Sequence, residues 1–544
     1  MIKYSILTNS NDDLYIDYNF LPIRLSVHNP KIVPKKQAIL QVCDRVLWKR
    51  PKDLFRSNNY VLFEAINPHI VHQGGLADCY YLSCVTSLSK WPGRIRKLFN
   101  EETKSSTGCY IMYGYINGIK RTFIIDDYLL LDPQTKSAAF VQPNNKELWV
   151  LLLEKLWAKI NGSFTNIEYG EEIESLSFLT GAPIDCYMHN NFSGKYEELW
   201  NRILTADKNQ YVLAGSTKQT PHEDTYKKIG LASFHVYSIL QAVSFTDHNG
   251  KEIKLLVMRD PWHMTDWKGE YSKCANLKNE LRIRDSYYAD PHCFTMTFND
   301  YLKYFKETTI CYYDDSYLHS GIELDMCDFA STSFELTKPF NGYLMLNQYN
   351  PRIFRLKIPS YNYVPVFIII GKVMGDNTIK YVTSMMLKEQ TTYIKVTLSP
   401  GKYVTFSGTD CDIPYPSLYG VTFYGDISFT LNPVVWDWRV LINIVTDYVE
   451  KNREKWKKLA EGLYHYAEMS FELGFGISLI KYEQTEGKIC YKENMKCIGL
   501  KRVYPRIKGE LKIYLEKGGT LISIYLFSST KNYSYNYQYK FTYL

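Results

Sequence analysis

The chain has 544 residues, of which 45% are hydrophobic and 22% charged, with a formal net charge of +7. That length gives room for several domains with a core in each, and the composition excludes collagen-like and disordered classes. The small charge is dispersed apart from short runs such as KNREKWKK at 451 to 458, read as solvated helix faces, so no nucleic-acid partner is expected.

No charged-then-apolar signal opens the chain, since MIKYSILTNSNDDL turns polar early. The longest apolar run, VPVFIII from Val364 to Ile370, is far short of the ~20 residues that span a bilayer. A soluble, cytoplasmic protein without a transmembrane segment is the expectation. The 12 cysteines are scattered rather than arranged as a disulfide scaffold, and are expected to be reduced. Cys490 and Cys497 are too far apart for a zinc clamp and have no histidines nearby.

In chain order, residues 1–45 read as an extended leader. The stretch QGGLADCYYLSCVTSLSKW, Gln73 to Trp91, then delivers Cys79 from a glycine-rich turn onto a helix whose apolar Leu82, Val85 and Leu88 recur every third residue. A thiol at a helix N-terminus meets unpaired N–H groups and the positive end of the helix dipole, which favour the thiolate. GCYIMYGYINGIKRTFIIDDYLLL (108 to 131) predicts two strands joined at Asn117-Gly118. ELWVLLLEKLWAKI (147 to 160) predicts a buried helix. Residues 184–315 read as mainly antiparallel strands, and 320–432 as short alternating strands of a β-sandwich. Residues 434–544 read as an unassigned α+β module, with a helical face at 434, 438, 441, 445 and 448 and a hairpin over ELKIYLEKGGTLISIYLF. No EF-hand loop occurs in it.

The cysteine stretch resembles the calpain active-site motif Q-G-x-L-G-D-C-W: Gln73, Gly74, Leu76, Asp78 and Cys79 match, whereas Ala77 and Tyr80 depart. The resemblance continues through LWKRPKDLF, the helix at 147 to 160, NGSF at 161 to 164 and FLTGAP at 178 to 183. It implies an α+β multidomain protein with a papain-like core of two subdomains (46–183 and 184–315), followed by a calpain-type β-sandwich. A cysteine nucleophile needs a base, and the base needs an acceptor. The resemblance supplies both: His235 in FHVYS corresponds to the histidine of G-H-A-Y-S, and Asp260 in RDPWH stands where the family has the asparagine of R-N-P-W-G. Gln73 would join the Cys79 N–H in an oxyanion hole, and Trp262 would shield the histidine–acid contact.

Several positions depart from the family. Phe234 replaces a glycine along the substrate cleft, making it an active-site wall with Trp262, and His263 replaces the glycine after Trp262. Among the family's calcium positions Ile70 and Lys273 replace acids, leaving Glu154, Asp266 and Asp290, too few oxygens for an ion that takes 6 to 8. No cofactor or metal is expected in the core. Two functions follow. One is an intracellular cysteine endopeptidase that cuts protein substrates through a thioester. The alternative is a calpain-like pseudoprotease serving as a scaffold, with membrane-surface or assembly contacts through the β-sandwich or the C-terminal module.

Overall fold

A computed structural model describes the chain from Leu14 to Tyr543 apart from residues 32–37, 144, 220–222, 248, 263–264, 273–286, 288–289, 326–328, 355–357, 359–360, 388, 410–417, 436, 471, 484–487, 499, 506–510, 517 and 528–533. The fold is α+β and divides into two compact units. The first comprises Met1–Ile116, Lys120–Asp315 and Arg352–Pro359; the second comprises Asn117–Ile119, Ser316–Pro351 and Ser360–Leu544. Among the described residues no helix is long and apolar enough to cross a membrane.

The first unit is built around helix α1 (Cys79–Leu88), in which every residue from Tyr80 to Leu88 is buried. Its entry turn needs glycine: a Cβ at Gly74 would lie 1.7 Å from the Phe140 carbonyl oxygen. The predicted strands form as β1 (Cys109–Ile116) and β2 (Ile119–Asp126), with positive φ at Asn117 and Gly118. Helices α2 (Trp149–Asn161) and α3 (Glu172–Thr180) end at the left-handed glycines Gly162 and Gly181. Helix α2 packs on α1 through the near-parallel stack of Trp157 on Tyr81, and the Trp157 indole N–H donates to the Tyr80 hydroxyl at 3.0 Å. Trp48, from the basic stretch before the core, packs its ring against Phe20 and Phe164.

A six-stranded antiparallel sheet forms the other lobe of this unit. Its strands are β3 (Ile184–Met188), β4 (Val212–Thr217), β5 (Val236–Thr246), β6 (Glu252–Arg259), β7 (Cys293–Thr297) and β8 (Phe305–Cys311), in the order β7-β6-β5-β4-β8-β3. Trp200, Tyr237, Met258, Tyr301 and Phe305 fill its core. Because β4 and β5 are central, the residues at their ends are held on both sides, and His235 immediately precedes β5.

In the second unit, sheets of four and five strands cover residues 318–434 and bury Phe334, Leu344, Ile368 and Phe423 between them. The helix expected from 434 begins at Trp438 and runs to Lys451, with Leu441, Ile444, Val445 and Val449 buried, while Val434 ends a strand. The charged run beyond it is a 3-10 turn at Arg453–Lys455 and then a strand, so it is not a helix face. The remaining residues form a five-stranded and a three-stranded sheet. The expected hairpin over ELKIYLEKGGTLISIYLF does not form. Leu511–Leu515 pairs with Ile489–Ile498, whereas Thr520–Phe527 pairs with Phe475–Tyr482 and Leu500–Tyr504, so the chain changes sheets where a tight turn was expected. Two alternating strands and a Gly-Gly turn fit both outcomes locally; long-range partners decide between them.

Candidate active site

Cys79 is the first residue of α1 and is partly exposed. The helix is fixed to the sheet lobe by buried serines. The Ser83 hydroxyl donates to the Val236 carbonyl at 2.7 Å, the Ser238 hydroxyl donates back to the Ser83 carbonyl at 2.8 Å, and the Ser87 hydroxyl donates to the Leu213 carbonyl at 2.7 Å. Ser83 and Ser87 follow Cys79 by four and eight residues, the spacing of one helix face, so the same face that docks the helix aims the thiol towards β5.

The histidine is positioned with equal care. The His235 backbone N–H donates to Thr217 Oγ1 at 3.0 Å, and the preceding residue, Phe234, takes a left-handed φ of 50°. Nε2 of the ring meets Asp260 Oδ1 at 2.7 Å, so Nδ1 is the ring nitrogen left to serve Cys79, whose charge acts on the ring. The ring of Tyr237 stands edge-on to the imidazole with centroids 4.9 Å apart, and Trp262 leans over it at 5.7 Å. Burial works against charge on His235. The charges of Cys79 and Asp260, with the hydrogen bond to Asp260, outweigh burial and push the imidazole up to about 10.

Asp260 is fully buried. Its Oδ1 also accepts from the Trp262 backbone N–H at 2.8 Å, and its Oδ2 accepts from the N–H and hydroxyl of Thr265 at 3.0 and 2.8 Å. Burial alone would raise this carboxyl, but the His235 charge and these donors hold it well below the usual carboxylate range. Gln73, six residues ahead of the cysteine, donates its backbone N–H to the Pro261 carbonyl at 2.7 Å. Its Nε2 donates one proton to the Leu76 carbonyl at 2.6 Å, and the amide has a second to give.

Behind the nucleophile lies a second acid pair. Asp78 is buried with no hydrogen-bond donor on its carboxyl oxygens other than its neighbour acid Glu154, and burial pushes it up. Glu154 accepts from the Val141 N–H at 2.9 Å; burial and the nearby Asp78 charge push it well above its ordinary value. Farther along, Arg259 is wholly buried, donating to Asp290 at 2.7 Å and to the Val71 carbonyl at 2.8 Å, while His69 Nδ1 meets the same Asp290 oxygen at 2.6 Å. This ionic cluster joins the segment before Gln73 to the sheet lobe.

The structure thus brings Cys79, His235, Asp260, Gln73 and Trp262 together, with Phe234 beside them. His263 and Lys273 lie outside the described residues. Sequence reasoning missed Thr217, Thr265, Ser83, Ser87 and Ser238. Only the helical spacing of the two α1 serines was visible in advance, because the other partners depend on strand register.

Cys79 at the start of α1 and His235 just before β5 stand on opposite lobes, as the cysteine and histidine of a papain-like thiol peptidase core do. The chain belongs to the calpain family of cysteine proteases: the family model for calpain cysteine proteases matches residues 15–312, more than half the chain. It is 27% identical over 277 residues to the calpain-type cysteine protease ADL1 of Oryza sativa subsp. japonica, covering 48% of this chain and 12% of that protein. It is 27% identical over 267 residues to Calpain-13 of Rattus norvegicus (48% and 38%), and 26% identical over 314 residues to the Calpain-1 catalytic subunit of Bos taurus (55% and 42%). The match takes in less than half the length of each of these relatives.

Proposed function

We propose that the chain is an active cysteine endopeptidase making limited cuts in extended segments of other proteins. The observation that carries this is the His235 imidazole bonded to the buried Asp260 at 2.7 Å, with the Cys79 and Asp260 charges both favouring a protonated ring. In the proposed reaction the Cys79 thiolate attacks the scissile carbonyl carbon. The Cys79 backbone N–H and the second Gln73 amide proton receive the developing oxyanion, one such donor contributing about 2.7 to 4 kcal/mol. His235 gives its proton to the leaving amine as the C–N bond breaks and a thioester forms. It then takes a proton from the water that hydrolyses the thioester, and the thiol is regenerated. Asp260 keeps the ring oriented and its charge compensated.

We read calcium as a poor fit to the described residues at the family's positions, of which Asp266 alone stays exposed. Ile70 is apolar and buried, Glu154 is turned inward beside Asp78, and Asp290 is already engaged by Arg259 and His69. His69, Asp290 and Cys293 offer ligand atoms within 4.8 Å of one another, but the Arg259 guanidinium on the same carboxylate disfavours a cation there. We therefore read the core as assembling without metal, the ionic cluster and the α1 serines doing the joining. The eight free cysteines among the described residues suit a reducing, cytoplasmic setting.

Incubation with an unfolded protein substrate in excess chelator tests the proposal. Discrete fragments that disappear with Cys79→Ala are expected. No cleavage by the wild-type chain, with or without calcium, would favour the scaffold alternative, for which the aromatic bulk of Phe234 beside the base is the specific observation.

A further inference from the structure

Two aromatic residues meet beside the thiol, one from each lobe. Tyr169 lies between the 3-10 turn Phe164–Ile167 and α3, and its backbone N–H donates to the Ala77 carbonyl at 2.8 Å, two residues before Cys79. Phe234 immediately precedes His235 and is 47% exposed. Their rings are nearly parallel, 24° apart, with centroids 6.2 Å from each other. Both residues adopt left-handed backbone, at φ 55° and 50°, a conformation that glycine takes freely and bulky side chains rarely do. Strained backbone retained on both sides of one nucleophile points to a role there rather than to local convenience. The next residue cannot yield either: a Cβ at Gly170 would come within 2.6 Å of the Tyr80 ring, so the Tyr169 segment is held against the core.

We infer that Tyr169 and Phe234 form an aromatic bar across the substrate groove and are specificity-determining residues, admitting segments with glycine at the position facing the bar. The inference rests on the peptidase reading above and names its substrate class. A planar side chain slotted between two rings needs about 7 to 8 Å between their planes, twice a carbon–carbon contact distance; rings already 6.2 Å apart leave no such slot. A polypeptide must therefore pass along the bar rather than through it, and a side chain directed at the bar meets ring atoms. A glycine there presents only backbone. The thiol stays reachable by small reagents, since Cys79 is partly exposed.

The test uses the full chain and three thiol reagents: iodoacetamide, and two peptidyl epoxides carrying glycine or phenylalanine next to the reactive group. Modification rates at Cys79 are measured for the wild type, Tyr169→Gly, Phe234→Gly, the double variant and Phe234→Tyr. Glycine suits both backbone positions, so the variants should fold, which melting curves check. Wild type should prefer the glycine probe by about 10- to 200-fold, the range open to one misfitting side chain. The ratio should collapse in the double variant and persist in Phe234→Tyr; a ratio cancels any common change in thiol reactivity. Equal probe rates in wild type, or a ratio untouched by the double substitution, would overturn the bar while selective iodoacetamide labelling left the peptidase reading standing. Loss of selective labelling itself would overturn both.

Discussion

Two buried carboxyl groups flank the nucleophile and are treated in opposite ways. Asp260, beside His235, accepts three hydrogen bonds from Trp262 and Thr265 as well as meeting the His235 ring, and is held ionised despite full burial. Asp78, one residue before Cys79, has only a second acid, Glu154, for a partner, and burial pushes it up. The protein spends its buried donors where a negative charge must face an imidazolium. Behind Cys79 the low dielectric instead favours the uncharged form of both acids.

The sharpest way to break this contrast is to remove the base. His235→Ala should lower the cleavage rate by about 10²- to 10⁴-fold, the usual worth of a general acid–base group, measured against an unchanged melting profile. Next comes its acceptor. Asp260→Ala strips compensation from a buried charged ring and should cost about 3 to 5 kcal/mol in denaturant unfolding. Asp260→Asn keeps an acceptor and should mainly move the alkaline limb of activity below pH 10. The His235 pKa is raised on folding, so its stabilisation is complete below about 6.5 and is lost as pH climbs through about 10.

The rear pair should show its effect at lower pH. For Asp78 the folded value is also raised, so its favourable contribution is present below 3.8 and lost as pH rises through about 7. Asp78→Asn should flatten that part of the stability profile and gain on the wild type at pH 8. A steeper decline in the variant would contradict the burial argument. Smaller still, Ser83→Ala should cost about 1 kcal/mol, the net worth of one buried hydrogen bond, together with a fall in Cys79 labelling as α1 loosens from β5. Chelators should change neither melting temperature nor labelling rate.

That Cys79, His235 and Asp260 would meet was legible because chemistry fixes residue types: a cysteine at a helix start, and a histidine and acid in motifs with matching neighbours. The turn Asn117-Gly118 was legible because its backbone needs residues tolerant of positive φ. What sequence could not supply was partnership across lobes. Thr265 looks like any loop threonine until the chain folds it onto Asp260, and Tyr169 gains meaning only when Phe234 arrives opposite. Glu154 shows the converse: the resemblance implied a calcium ligand there, yet packing turns the side chain inward beside Asp78. The strand Leu511–Leu515 likewise chose a distant partner over the nearest one.

The site stands or falls on a His235 imidazole that stays charged beside Cys79 and Asp260, and the titration of that ring measures it. Histidine-labelled protein followed by NMR should show this ring still protonated at pH 8, with a midpoint near 10 that falls towards the ordinary 6.5 in Cys79→Ala. A midpoint at or below 6.5 in the wild type, unmoved by that substitution, would contradict the account.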